Sequence, residues 1–161
     1  MAVSALPDLV RIGLFPLALC AAIACDLAWR IIPNLVVVAL LAGFAALAVA
    51  MPVPDLAERL MVSGLVTALG FALFAHDIIG AGDAKLAGAL MLWLDPLQVP
   101  AFMLICAVIA ALLTLAATLA ARRSVPPRAA ALLAGATQAL PYGVALAGAG
   151  LLLQPYFSLA G

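Results

Sequence analysis

Long apolar stretches constrain the fold of this chain more than any other feature. Several of them run for about 17–25 mainly apolar residues, enough for a helix to cross a bilayer core of roughly 30 Å. Of the 161 residues, 69% are hydrophobic and only 9% are charged, which is too little polar surface for a soluble domain of this size. Because backbone groups in lipid must be paired, each stretch is predicted to be a helix. The sequence therefore predicts an all-α membrane protein.

Charged residues, prolines and glycines divide the apolar sequence into six segments. The fourth segment is the shortest, and as a helix it rises only about 20 Å. However, one helix from Lys85 to Ala120 would span about 54 Å, too long for a single crossing, so two crossings separated at Asp95-Pro96 are predicted. The expected fold is one transmembrane domain, residues 1–161, built as a six-helix bundle with helices at about 9–28, 34–51, 59–76, 83–95, 97–121 and 137–157.

Basic residues between the segments predict the orientation in the membrane. If the loop after the first helix is cytoplasmic, five basic residues lie on the cytoplasmic side and two on the other, which follows the positive-inside rule. The cytoplasmic set is Arg30, Lys85, Arg122, Arg123 and Arg128, and the opposite set is Arg11 and Arg59.

Composition also argues against two other classes of protein. The formal net charge is zero, so no basic surface points to nucleic acid as a partner. Cys20, Cys25 and Cys106 lie inside apolar segments and form no CxxC pair, so neither a metal site nor a cofactor is expected.

Three carboxylates on the predicted cytoplasmic side are candidates for chemistry: Asp26, Asp77 and Asp83. Ionisable groups at membrane depth are costly and usually functional. Asp26 ends the first helix, just before Pro33, which stops that helix, and Asn34, which is expected to cap the next one. Taken alone, Asp26 could equally form an ion pair with a basic residue four positions later.

Asp83 lies in the run Gly80-Ala81-Gly82-Asp83-Ala84-Lys85. The two glycines permit positive φ and leave room for another chain to approach the backbone. A purely structural alternative is that Asp83 only caps the fourth helix.

Asp26 and Asp83 are most informative as a pair, because both fall on the same predicted face of the membrane. Two carboxylates brought together cannot easily both ionise, so one of them stays protonated near neutral pH. The ionised member can take a proton from water, and the protonated member can donate one to a peptide carbonyl. That is the chemistry of an aspartyl protease, and it needs no metal or cofactor.

Two sequence elements carry a family resemblance: Asp26 with Arg30-Ile31-Ile32-Pro33-Asn34, and Gly80-Ala81-Gly82-Asp83-Ala84-Lys85-Leu86. Together they resemble the type IV prepilin peptidases, membrane aspartyl proteases whose second aspartate lies in a GxGD motif. Pro141-Tyr142-Gly143 is similar to a late motif of the same family. The resemblance implies a GxGD-type architecture in a bacterial inner membrane, with the active site facing the cytoplasm. It also implies a prepilin-like substrate, cut after the glycine that precedes its apolar helix.

The same resemblance assigns roles to individual residues. Asp26 and Asp83 would be the catalytic pair. Six further residues would support the motifs or the substrate: Arg30, Pro33, Asn34, Gly80, Gly82 and Lys85.

Two departures from the family pattern refine this expectation. The chain begins at the first helix and has no CxxC pair, so it resembles the short form associated with tight-adherence (Flp) pili, for which methylation of the trimmed pilin is not implied. His76 and Asp77 just before the GxGD motif are not part of the pattern. Asp77 is either a third carboxylate that tunes the pair or a charge at the membrane surface.

Two other functions remain open on sequence alone. A non-enzymatic transport or assembly component would use Asp26 and Asp83 for ion or proton passage. That class predicts carboxylates along a path through mid-membrane, whereas here they cluster at one face. A GxGD protease of signal peptides or other membrane helices would share the chemistry, and only the upstream Pro33-Asn34 element distinguishes it.

Overall fold

The structure, a computed structural model, describes residues 7–122 and 142–154, with side chains for 7–119 and 142–154. Every regular element in these ranges is helical. A π-helical stretch, Leu9–Leu14, continues directly into the first α-helix, and a 3₁₀ turn, Pro96–Gln98, leads into the fifth. The α-helices are α1 (Phe15–Trp29), α2 (Asn34–Ala50), α3 (Leu56–Ala75), α4 (Ala81–Trp93), α5 (Val99–Arg122) and α6 (Tyr142–Leu153).

The six predicted segments correspond to these six helices in order. The third helix begins at Leu56, three residues before the predicted start, and the fourth begins at Ala81, two residues before it. For the last helix, the predicted start at 137 and the predicted end at 157 both lie outside the described residues.

Three helical stretches are long and apolar enough to cross a membrane: Leu9–Trp29, Leu56–Ala75 and Pro96–Leu119. The helices Asn34–Ala50 and Tyr142–Leu153 are apolar but shorter. These lengths and compositions indicate a membrane protein. In this setting the large apolar side chains exposed on α3 and α5 face lipid rather than water.

Helix α4 is short and lies among its neighbours. All its residues from Gly88 to Trp93 are buried, unlike those of the longer α3 and α5. At its far end, the Trp93 ring lies 4.7 Å from the ring of Phe15 and 6.0 Å from that of Phe44, measured between centroids. The fourth segment is therefore a core element, which explains why its length falls below that of a usual crossing.

Close contact with α3 fixes the position of α4. A Cβ atom at Gly70 would lie 2.8 Å from the Cβ of Ala84, so only glycine allows this approach. One turn further along, the Ser63 hydroxyl donates a hydrogen bond of 2.7 Å to the carbonyl of Gly88. The beginning of α4 is thus held against α3 by backbone proximity.

A buried arginine fastens the opposite end of α4. Arg59, which the sequence analysis counted on the side opposite the cytoplasm, is only 1% exposed. Its guanidinium donates to the carbonyls of Pro54 (2.9 Å) and Leu94, and it lies 3.8 Å from the carboxylate of Asp95. It therefore satisfies the carbonyl groups that the end of a helix leaves without partners.

Replacing this arginine is expected to destabilise the fold. Arg59→Met keeps the side chain's length but leaves buried carbonyls without a donor and Asp95 without its ion pair, so we expect a loss of about 3 kcal/mol in the free energy of unfolding. The measurement is thermal unfolding of the protein in detergent. Arg59→Lys retains the charge but fewer hydrogen bonds, and should fall between the parent and Arg59→Met. An unchanged Tm in Arg59→Met would contradict this role.

Candidate active site

Asp26 lies at the end of α1 and is buried, with 5% of its surface exposed. Its Oδ2 accepts a hydrogen bond of 3.0 Å from the backbone N–H of Val144 in α6. The helix ends because Arg30 adopts a left-handed conformation (φ 56°), and the Arg30 N–H donates to the carbonyl of Asp26 at 3.0 Å. Pro33 then turns the chain into α2 with extended backbone angles. This tight turn fixes the Asp26 carboxylate beside α6.

Gly143 allows α6 to approach Asp26. A Cβ atom at this position would lie 2.8 Å from Asp26 Oδ2 and 2.8 Å from the Cδ1 atom of Ile32. Both distances are too short for real atoms, so any side chain here would displace the carboxylate or the turn after α1. The glycine of the Pro141-Tyr142-Gly143 element therefore has a steric function beside Asp26.

Asp83 lies in the first turn of α4, where its Oδ2 accepts a hydrogen bond of 3.2 Å from the N–H of Gly80. Asp83 is the third residue of the helix, and its side chain thus accepts the N–H of the N-cap residue. The positive φ that the glycines permit is not used: Gly80 has φ −73°, and no glycine in the described ranges has a positive φ. The lack of a side chain at Gly82 instead allows close packing against the turn after α1, since a Cβ atom there would lie 3.2 Å from the Cβ of Ile32.

Asn34 was expected to cap α2, and this is wrong. Pro33 occupies the N-cap position, Asn34 is the first helical residue, and no side chain caps the helix. Instead, Asn34 Oδ1 accepts a hydrogen bond of 3.0 Å from the Nζ of Lys85. This contact joins the turn after α1 to the first turn of α4, which are about fifty residues apart in sequence.

Both aspartates line one cavity of about 220 Å³, called the polar cavity below. As anions the two carboxylates repel each other, whereas the Arg30 guanidinium attracts the Asp26 carboxylate. Among the residues singled out from sequence, Pro33, Asn34 and Lys85 do not line this cavity, although the last two bond to each other beside it. The lining consists of Asp26, Arg30, Ile31, Ile32, Gly80, Ala81, Gly82 and Asp83.

A second cavity, of about 270 Å³, lies between α4, α5 and α6 and is called the apolar cavity below. Asp83 belongs to its lining as well as to that of the polar cavity, and is its only carboxylate. The lining consists of Ile79, Asp83, Ala87, Cys106, Ala107, Ala110, Tyr142, Ala145 and Leu146.

His76 and Asp77 lie in the turn after α3 and are both exposed. Neither lines the polar cavity or the apolar cavity. Asp77 has a left-handed backbone conformation with φ 57°, which Asp and Asn tolerate better than most residues. Its position is that of a turn residue at the surface.

The backbone N–H of Val144 is the part of the site that sequence reasoning missed. A main-chain donor carries no side-chain signature, and the sequence signal nearest to it is Gly143. Within residues 7–122 and 142–154, no group of three or more His, Cys, Asp or Glu side chains is arranged to hold a metal ion.

Comparison with known families agrees with the resemblance seen in the motifs. The sequence model of the type IV leader peptidase family matches residues 13–115, which is more than half of the chain and includes both aspartates. The chain therefore belongs to the type IV leader peptidase family. Searches of curated proteins and of solved structures each gave no significant match. Membership supports a general role as a protease that acts on prepilin-like substrates.

Proposed function

We propose that this protein is an aspartyl endopeptidase that removes the leader peptide of prepilin-like membrane proteins, with Asp26 and Asp83 as the catalytic pair. One observation carries the proposal: two carboxylates from distant parts of the sequence line one cavity and interact electrostatically. Membership in the leader peptidase family gives the class of substrate.

The proposed mechanism follows from a single proton shared by the pair. The ionised carboxylate takes a proton from water while the water oxygen attacks the scissile carbonyl carbon. The protonated carboxylate donates its proton to the carbonyl oxygen, giving a neutral tetrahedral gem-diol. When the C–N bond breaks, the carboxyl group that took the proton from water donates it to the leaving nitrogen, and the other carboxylate accepts a proton from a gem-diol hydroxyl. The pair thereby returns to its starting state.

Glycines beside the pair give the substrate access. A helical peptide bond is shielded by its own hydrogen bonds, so the substrate must be extended where it is cut. Gly80 is exposed at the edge of the polar cavity and presents no side chain to an approaching backbone. The Val144 N–H stabilises negative charge on Asp26 and fixes its orientation while the proton moves.

The proposal includes an arrangement in the membrane. All six helices form one domain that crosses a bacterial inner membrane six times, with the polar cavity open to the cytoplasm. Arg30 and Lys85 then follow the positive-inside rule. Arg30 lines the polar cavity, where it could meet an acidic residue of the substrate, whereas Lys85 joins the two motif loops through Asn34.

Cleavage of a defined substrate tests the function. The protein is purified in detergent and mixed with a prepilin-like protein that has a charged leader, a glycine and an apolar helix. Mass spectrometry of the product is expected to show one cut, directly after the glycine. An intact substrate, or a cut within the apolar helix, would contradict the proposed activity.

Asp77 is expected to be dispensable for this activity. Asp77→Asn removes the third carboxylate but keeps a residue type that tolerates the left-handed turn, so the cleavage rate should stay within about twofold of the parent. The rate is measured on the same substrate. Loss of activity in Asp77→Asn would mean that the catalytic carboxylates are wrongly assigned.

A further inference from the structure

Small side chains from three helices surround the apolar cavity. Ala87 lies on α4, Ala107 and Ala110 lie on α5, and Ala145 lies on α6. Small residues usually let membrane helices close up on one another, as Gly70 and Ala84 do between α3 and α4. Here they leave about 270 Å³ open instead. The described part of the chain therefore contains space shaped by apolar atoms next to Asp83.

Asp83 connects this space to the polar cavity, because it lines both. On one side of Asp83, the lining includes the charged groups of Asp26 and Arg30. On the other side, Asp83 itself is the only charged group. A polypeptide that passes Asp83 thus moves from polar to apolar surroundings.

The order of polarity in a prepilin-like substrate matches this change. Its charged leader precedes the scissile bond and its apolar segment follows it. Ala87 lies one helical turn beyond Asp83 on the same face of α4, a rise of about 6 Å. An extended chain rises about 3.3 Å per residue, so about two residues separate the level of Asp83 from that of Ala87.

We propose that the apolar cavity between α4, α5 and α6 binds the first residues of the substrate's apolar segment, directly after the scissile bond. The inference rests on the proposed leader peptidase function and adds the place where the substrate is held. Side chains buried there align the preceding peptide bond with Asp83. The cavity thereby selects substrates whose residues after the cut are apolar and fit among alanines.

Cys106 provides a cross-linking test that adds no bulk to the cavity. It lines the cavity, is only partly buried, and its thiol lies 3.6 Å from the carbonyl oxygen of Ala145. Cys20→Ser and Cys25→Ser leave it as the single cysteine. Asp26→Asn is added so that the substrate stays uncut. This position is chosen over Asp83 because Asp26 does not line the apolar cavity. Substrates then carry one cysteine at each of the first six positions after the scissile bond, or one in the leader.

Oxidation in membranes is expected to link Cys106 to one or two of the first six positions and to none in the leader. The matched control is a variant that keeps only Cys20, which is exposed on α1 and outside the cavity, and it should give no such pattern. Cleavage is measured in parallel with Asp26 restored. If the protein cleaves the substrate but Cys106 forms no cross-link, the assignment of the apolar cavity is wrong and the proposed function stands. The cavity would then hold lipid or remain empty. Failure of the parent to cleave would instead overturn the proposed function.

A substitution that fills the cavity gives a second test. Ala110→Phe places a large ring among the lining residues and is expected to raise KM for the prepilin-like substrate at least tenfold. Ala116→Phe is the matched control, because Ala116 is exposed on the same helix and is not part of the lining. It should leave KM unchanged. Equal KM values in the two variants would overturn the inference.

Discussion

Asp83→Asn and Asp26→Asn should each lower the rate of leader cleavage by about 10⁴-fold or more. An amide has nearly the same size as a carboxylate, so packing is retained, but it can neither accept the proton of the attacking water nor hold the shared proton. In Asp83→Asn the amide oxygen can still accept the hydrogen bond from Gly80, so the first turn of α4 should form normally. The rate is measured with purified protein and a prepilin-like substrate.

Three controls separate a catalytic defect from misfolding. Each variant should insert in the membrane, purify in parent-like yield and unfold at a Tm close to that of the parent. The double variant should be no slower than either single variant, because the two groups act as one unit. Asp77→Asn is the matched substitution at an exposed carboxylate. Full cleavage in either single variant at Asp26 or Asp83 would remove the mechanism.

Gly143→Ala should lower the cleavage rate by about 100-fold. The added methyl group would lie 2.8 Å from Asp26 Oδ2, so either the carboxylate or the beginning of α6 must move. Movement of either one lengthens the hydrogen bond from the Val144 N–H to Asp26. Displacement of a catalytic group by about 1 Å can cost a factor of this size. The measurement separates kcat from KM, and the loss is expected mainly in kcat because the added methyl group lies against the carboxylate that is proposed to carry out the reaction.

Gly148→Ala is the matched control on the same helix. A Cβ atom there would lie 3.3 Å from Cδ1 of Ile109, the flexible end of a side chain that can shift slightly. Activity within about twofold of the parent is expected, since the contact is with Ile109 and with neither aspartate. If the two alanine variants lose activity equally, the effect of Gly143→Ala reflects helix packing in general and not its contact with Asp26.

Much of the fold could be predicted from the sequence because lipid restricts the choices. Apolar length and the placement of prolines and charges were enough to predict six helices in the right order, the first five within a few residues of the helical limits that the structure describes. Alternation of the helices also put the end of α1 and the beginning of α4 on one predicted face, but it could not say whether Asp26 and Asp83 lie close together there; their shared cavity is a finding of the structure. The helices and their alternation depend on local sequence and on the bilayer, not on detailed packing.

Contacts between distant helices could not be predicted in the same way. Asn34 is a residue type that often caps helices, yet Pro33 occupies the cap position of α2. The side chain of Asn34 instead accepts a hydrogen bond from Lys85. Arg59 entered the sequence analysis only as a basic residue on the side opposite the cytoplasm, and its burial depends on carbonyl groups at the end of α4, over thirty residues later. These contacts form between residues that are distant in sequence and close in the folded protein. The spacing of residues in a single sequence does not predict them.

The shortness of α4 has a consequence for how water reaches the reaction. Its thirteen residues rise about 20 Å, roughly 10 Å less than the hydrocarbon thickness of a bilayer. With the far end of α4 tied to Arg59, the proposed membrane arrangement would place Asp83 below the membrane surface rather than at it. Hydrolysis consumes one water molecule per cut, so in this arrangement each would reach the pair through the polar cavity, which Arg30 helps to line. The polar cavity would therefore both admit the leader and supply water to the enzyme.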